Sequence, residues 1–276
     1  MTSTPTKSQA EEVWRAYLTT GRLPDYASLA WFEGPFFRPL ARLLPKEPRC
    51  RICYYPFEGL GGKLVRLLGV ERSKLNPQLC NVCERFAARF PGGTVMEVSL
   101  LFADVRGSTG LAERMSPYDF SQLIDRFYRT TTRVLFQNNG LVEKLIGDEV
   151  TGFFVPAFAG AQPARIAIKA GQEILAATGH QRPEGPWVPV GVGIHTGEAY
   201  IGTVGNAKEG MDIAVLGDNV NLAARLTGLA KTGEIMISET AREAAGLVDR
   251  SLEPRHLELR GREAPVEAWV MQVEGA

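Results

Sequence analysis

Four cysteines, two aspartates, a lysine and one asparagine–arginine pair are the residues of this chain whose types and spacing could do chemistry. The cysteines form two C-x2-C pairs, Cys50/Cys53 and Cys80/Cys83, separated by 26 residues, and none of the other 272 positions of the 276-residue chain is cysteine. In a reducing compartment this spacing is a metal pattern before it is a disulfide pattern. Four thiolates suit tetrahedral Zn²⁺, which staples a segment too small to hold a core alone. An iron–sulfur cluster also accepts four cysteines, and reversible disulfides are a third use. Farther along, Asp104 ends the apolar run Leu100, Leu101, Phe102, Ala103, and Asp148 follows Gly147 44 residues later. If the two strands are neighbours, two carboxylates converge at one sheet edge, the hard oxygen set that Mg²⁺ takes together with substrate phosphates. Lys144 lies inside the strand-like LVEKLI, where a lysine usually points to solvent. Asn221 and Arg225 are i and i+4 on one helical pattern, hence on one face. His195 is expected as a packed strand histidine, because no second histidine or cysteine is spaced to help it hold a metal.

Elements must position these groups. Residues 1–49 carry a helical stripe (Val13, Trp14, Tyr17, Leu18) and an aromatic segment, Ala27 to Leu44, broken by Pro35 and Pro39. Such a stripe reads as packing. Residues 50–83 form the small cysteine module; the glycines of its GLGGKL stretch read as turns, since the Walker spacing is missing. Residues 84–94 contain the linker ARFPGGT, and a domain of alternating strands and helices fills 95–276. Within it, Ser116, Pro117 and Asp119 predict a capped helix start, and Gly147–Asp148 predicts a tight hairpin between LVEKLI and EVTGFFV. A second helix is expected over Ala161–Thr178. The alternation of Val188, Val190, Val192 and Ile194 predicts a half-buried strand that turns through TGE into AYIGTVG. DNVNLAARLTGLA reads as a helix, EIMIS as a strand, SETAREAAG as a short capped helix, and LELRG with VEAWVMQV as a closing hairpin. The expected class is α+β, a mixed sheet with helices on one face.

Composition excludes several functions. Hydrophobic residues make up 45% and charged residues 22%, ordinary for a globular protein. The 31 basic and 31 acidic residues cancel, so no general nucleic-acid or membrane-surface partner is expected. No apolar run of membrane-spanning length exists and the first residues lack a signal-peptide core, so the expected location is the cytoplasm.

The order F-A-D-x-x-G-S-T, K-x-x-G-D, G-I-H-T-G-x-x-x-x-G-x-V-G and L-G-D-x-V-N-x-A-A-R-L resembles the class III nucleotide cyclase catalytic domain, over about two-thirds of the chain. The resemblance implies a ferredoxin-like fold with a mainly antiparallel sheet, preceded here by the metal-binding module. It implies that Asp104 and Asp148, completed by the Val105 carbonyl, hold two Mg²⁺ or Mn²⁺ ions for in-line attack of the ribose 3′-hydroxyl on the α-phosphate. Gly107, Ser108 and Thr109 would let backbone N–H groups approach phosphates. Asn221 would orient the ribose, and Arg225 would meet charge at the α-phosphorus. Arg260, with Arg262, would face the terminal phosphates, arginine standing where the family usually has lysine. The product would be cyclic AMP from ATP, made in a homodimer whose sites are composite, with the N-terminal module regulating it.

Base choice is where the sequence departs from the family. Lys144 fits the adenylate pattern, but the second base-reading position is Ala214, which offers no side-chain hydrogen bond. A guanylate or dual-specificity cyclase, and a catalytically silent nucleotide-binding domain, stay open. A diguanylate cyclase lacks its G-G-D-E-F loop here, IGDEV being a partial echo.

Overall fold

The computed structural model describes residues 5–24, 48–74, 76–206, 210–248, 252–258 and 265–273. The expected segment Ala27–Leu44 and both Arg260 and Arg262 lie outside the described residues. Two compact units emerge, one of residues up to 96 with 200–215, the other of residues 97–199 with 216–276. Among the described residues no helix is long and apolar enough to cross a membrane.

In the first unit, α1 (Lys7–Thr20) starts in a reciprocal capping box between Thr6 and Gln9 and ends at Gly21, whose φ of 73° closes the last turn. Its aromatic stripe packs, as expected. Trp14 donates its indole N–H to the Phe90 carbonyl (2.9 Å), and its ring meets Phe86 at 4.9 Å. The GLGGKL stretch corrects the sequence reading. Only Gly59 has a turn conformation, and Gly61 and Gly62 lie inside α2 (Gly59–Leu67). Gly62 is demanded by close approach, since a Cβ there would lie 2.5 Å from the Phe57 carbonyl group. The Cys80 thiol caps α3 (Asn81–Arg89) by accepting from the Cys83 N–H.

Strand β1 (Gly93–Val105) leads into a short α4 (Ser108–Arg114) and the long α5 (Pro117–Gln137). The expected start of α5 is present: Ser116 accepts from the Asp119 N–H, with Pro117 in the first turn. Next come β2 (Leu141–Ile146), β3 (Glu149–Phe154), the single turn α6 (Pro156–Ala159) and α7 (Pro163–Ala177). The rest is β4 (Val190–Asn206), β5 (Gly210–Leu216), α8 (Asp218–Leu229), β6 (Glu234–Ser238), α9 (Glu239–Ala244), β7 (Glu253–Leu257) and β8 (Val266–Gln272). Sheet order is β2-β3-β1-β4-β6-β8-β7, with β5 pairing β4. The β4–β6 pair is parallel and the β1–β3, β2–β3, β6–β8 and β7–β8 pairs are antiparallel, so the sheet is mixed and mainly antiparallel. The closing hairpin uses residues 253–257, a few positions before the LELRG expected from sequence.

Helices cover both faces, not one. Ile235 and Ile237 of β6 join the core beneath α5 and α7, whereas Met236, pointing the opposite way, packs with Leu222 and Leu226 of α8. Two further expectations about β4 fail for the same reason. The strand is buried on both faces around Val190–Ile194, because Gly191 and Gly193 lie against the Ala230 carbonyl and Thr227. It also runs straight through TGE without turning. Gly197 serves contact rather than a bend: a Cβ there would lie 2.7 Å from the Asn219 amide. Gly197→Ala should therefore cost about 1–3 kcal/mol, the usual price of overpacking. Chemical denaturation measures this, and a change below a few tenths would refute the close-contact explanation.

Candidate active site and metal centre

Asp104 and Asp148 meet because β1 and β3 pair antiparallel up to Asp104 opposite Glu149. The Val105 N–H donates to the Asp148 carbonyl (3.1 Å), which draws the end of β1 onto the hairpin turn. That turn is the two-residue one expected, Gly147 at φ 61° and then Asp148. Tyr128 of α5 steadies it by donating its hydroxyl to the Gly147 carbonyl (2.7 Å). Behind the carboxylates stands an apolar wall: Leu101, Ala103 and Val105 are buried in the core, so the strand end has little freedom.

Two neighbours of this pair had no signal in the spacing. Arg106 forms an ion pair with Asp104 and donates to the Gly228 carbonyl (3.3 Å), while its Nε finds no hydrogen-bond partner among the described residues. Partial burial lowers the Arg106 pKa, opposed by Asp148 and Glu149. The Glu149 carboxyl is raised, by burial first and by Asp148 second, with Arg106 pulling the other way. Negative charge thus exceeds what one guanidinium offsets, and the donor set is oxygen. Those features fit a hard divalent cation at Asp104 and Asp148.

The remaining candidates occupy defined places. Gly107, left-handed at φ 67°, opens α4, with Ser108 and Thr109 in its first turn. Lys144 is half-exposed on β2, its ammonium 3.4 Å from the buried Glu143. Asn221 and Arg225 share the open face of α8, opposite the buried Leu222 and Leu226. Ala214 is a buried residue of β5, in the first unit.

His195 is packed within the strand, as expected. Its Nδ1 meets Ser238 Oγ and its Nε2 meets Asn219 Oδ1, both at 2.8 Å. Because the Asn219 amide N–H donates to the Glu198 carbonyl (2.8 Å), its oxygen must accept, which places the imidazole proton on Nε2. Asn219 sits in the first turn of α8, two residues before Asn221, so this network holds the helix that carries both polar candidates. Nothing in the sequence separated Asn219 from its equally polar neighbours.

The four cysteines form a second centre. Their sulfurs lie within 4.8 Å of one another, Cys53 and Cys80 at 3.5 Å, and all are buried and unbridged. A tetrahedron of ~2.3 Å zinc–sulfur bonds has edges of about 3.8 Å, so the cage has the right size. The backbone N–H of Cys80 points at Cys50 Sγ (3.3 Å) and that of Cys83 at Cys80 Sγ (3.4 Å). Burial opposes a Cys50 thiolate, but the surrounding thiols donate to it and bring its pKa well down. Burial, then Cys50 and Cys80, push Cys53 up against an opposing Cys83, and the neighbouring thiols followed by burial push Cys83 up. Four thiolates coexist here only around a cation, and the donor set fits Zn²⁺.

A family description, Adenylate and Guanylate cyclase catalytic domain, matches residues 92–272. The chain is 32% identical over 179 residues to an uncharacterized protein of Mycobacterium tuberculosis, covering 63% of this chain and 32% of that protein. It is 30% identical over 140 residues to an adenylate cyclase of Anabaena cylindrica, covering 49% and 27% respectively. The crystal structure of the guanylyl cyclase Cya2 superposes with a TM-score of 0.59 at 27% identity, covering 65% of this chain and 93% of that one. The chain spans about a third or less of the length of these curated relatives.

Proposed function

Because the chain belongs to the adenylate and guanylate cyclase catalytic domain family over residues 92–272, we propose that it converts ATP to 3′,5′-cyclic AMP and pyrophosphate. The observation that carries this reading is the junction of Asp104 and Asp148, drawn together by the Val105 N–H on the Asp148 carbonyl. Held by these two carboxylates and the Val105 carbonyl, two Mg²⁺ or Mn²⁺ ions would supply the Lewis acidity that ionises a ribose 3′-hydroxyl and neutralises a triphosphate. Around them, Asn221 orients the ribose and Arg225 stabilises charge developing at the α-phosphorus. Gly107, Ser108 and Thr109 offer backbone N–H groups to the phosphates, and Arg260 with Arg262 faces their terminal end. Lys144 reads the base. The working form is a homodimer with composite sites, residues 50–83 hold structural Zn²⁺, and the cytoplasm is the site of action.

ATP is favoured by Lys144, and Ala214 weakens that preference. One missing hydrogen bond is worth about 0.5–1.5 kcal/mol, or roughly 2- to 13-fold in discrimination. Ala214→Ser, which adds only a hydroxyl, is expected to raise the ATP-over-GTP ratio of kcat/KM within that range. Assays with Mn²⁺ and each nucleotide, quantifying both cyclic products, test the whole reading. Cyclic GMP in excess of cyclic AMP would reassign the substrate, and neither product would leave a nucleotide-binding domain without turnover.

A further inference from the structure

The apolar cluster around the cysteines contains one residue from far along the chain. Cys50, Cys53, Tyr55, Phe57, Cys80 and Cys83 lie in its buried part, and Ile213 of β5 packs against it. Side chains alternate along a strand, so the neighbouring buried Ala214 faces the other way. Strand β5 is therefore a lever with the cysteine centre under one side and position 214 on the other.

A second strap ties β4, the strand that β5 pairs with, to the segment leaving the module. The Thr203 N–H donates to the Gly92 carbonyl (2.8 Å), and the Gly92 N–H donates to Thr203 Oγ1 (2.7 Å). A Cβ on Gly202 would lie 2.4 Å from the Gly92 carbonyl oxygen, so the backbones meet where no side chain fits. Of the nine buried residues in the cysteine cluster, four are the cysteines themselves. A core that small depends on its crosslink, and emptying the centre removes the bond between residues 50–53 and 80–83. Ile213 then loses the surface it rests on.

We propose that metal occupancy of the four-cysteine centre sets the position of β5, so that zinc loss alters the nucleotide site at Ala214. This rests on the reading of Ala214 as a base-facing residue; the mechanical coupling from cysteine centre to β5 does not. The regulating ligand is a thiophilic divalent cation, and the path runs through Ile213.

The test uses the full chain, first measured for zinc by elemental analysis and by cadmium–thiolate absorbance after exchange. Hydrogen exchange of the 210–216 segment is then compared before and after a zinc-selective chelator in excess Mg²⁺. Stripping should speed exchange there about tenfold while leaving β6 amides unchanged, and KM for ATP should rise. Ile213→Ala should retain one metal per chain, show fast exchange at 210–216 from the start, and respond little to stripping. Bound zinc whose removal leaves 210–216 protected would overturn the coupling while sparing the metal assignment. A chain that takes up neither zinc nor cadmium overturns both. The exchange readout needs no turnover, so a chain without cyclase activity still decides the coupling.

Discussion

Arg225→Ala is expected to lower cyclic nucleotide formation by about 10³- to 10⁵-fold, the range found when an arginine that stabilises transferring phosphoryl charge is removed. In the proposed role the loss falls on kcat, because the charge Arg225 would meet develops only in the transition state. Helix α8 should survive: Leu222 and Leu226 keep its buried face, and alanine is at least as good a helix former as arginine. Thermal melting within a few degrees of the parent, with initial rates in Mn²⁺ and ATP, separates chemistry from folding. A loss smaller than tenfold would remove Arg225 from the transition state.

Asp104→Ala is expected to be equally silent for a different reason: it would remove a proposed metal ligand, so excess Mn²⁺ should rescue it poorly and Mg²⁺ not at all. Because Asp104 also pairs with the partly buried Arg106, Asp104→Asn, which keeps shape and an acceptor, controls for structural damage. Mixing Asp104→Ala with Arg225→Ala chains tests the composite dimer. Random reassortment makes half the dimers mixed, each with one intact site of two, so about a quarter of parental activity returns. If both residues serve a site within one chain, mixing restores nothing.

The local signals were legible because each is completed within a few residues. The start of α5 needs only Ser116, Pro117 and Asp119, and the β2–β3 hairpin needs only Gly147 and Asp148 between two apolar runs. Glycine was misread where its purpose is a close contact that spacing does not reveal. Gly62 answers the backbone of Phe57 five residues earlier and Gly197 answers Asn219 on α8, so glycines that look like turn residues stand instead in helix or straight strand. Distance along the chain hid Arg106 and Asn219, whose roles come from partners such as Gly228 and His195.

By itself, then, the sequence determined the cyclase motifs, the paired aspartates, the asparagine–arginine helix and the four thiols. These are properties of residue type and short spacing, which survive without knowledge of neighbours. Only the tertiary structure decided that helices cover both sheet faces, that β4 does not turn, and that the cysteine core extends to Ile213. Each depends on which surfaces exclude water together, and burial is set by partners a hundred or more residues away as much as by the residue itself.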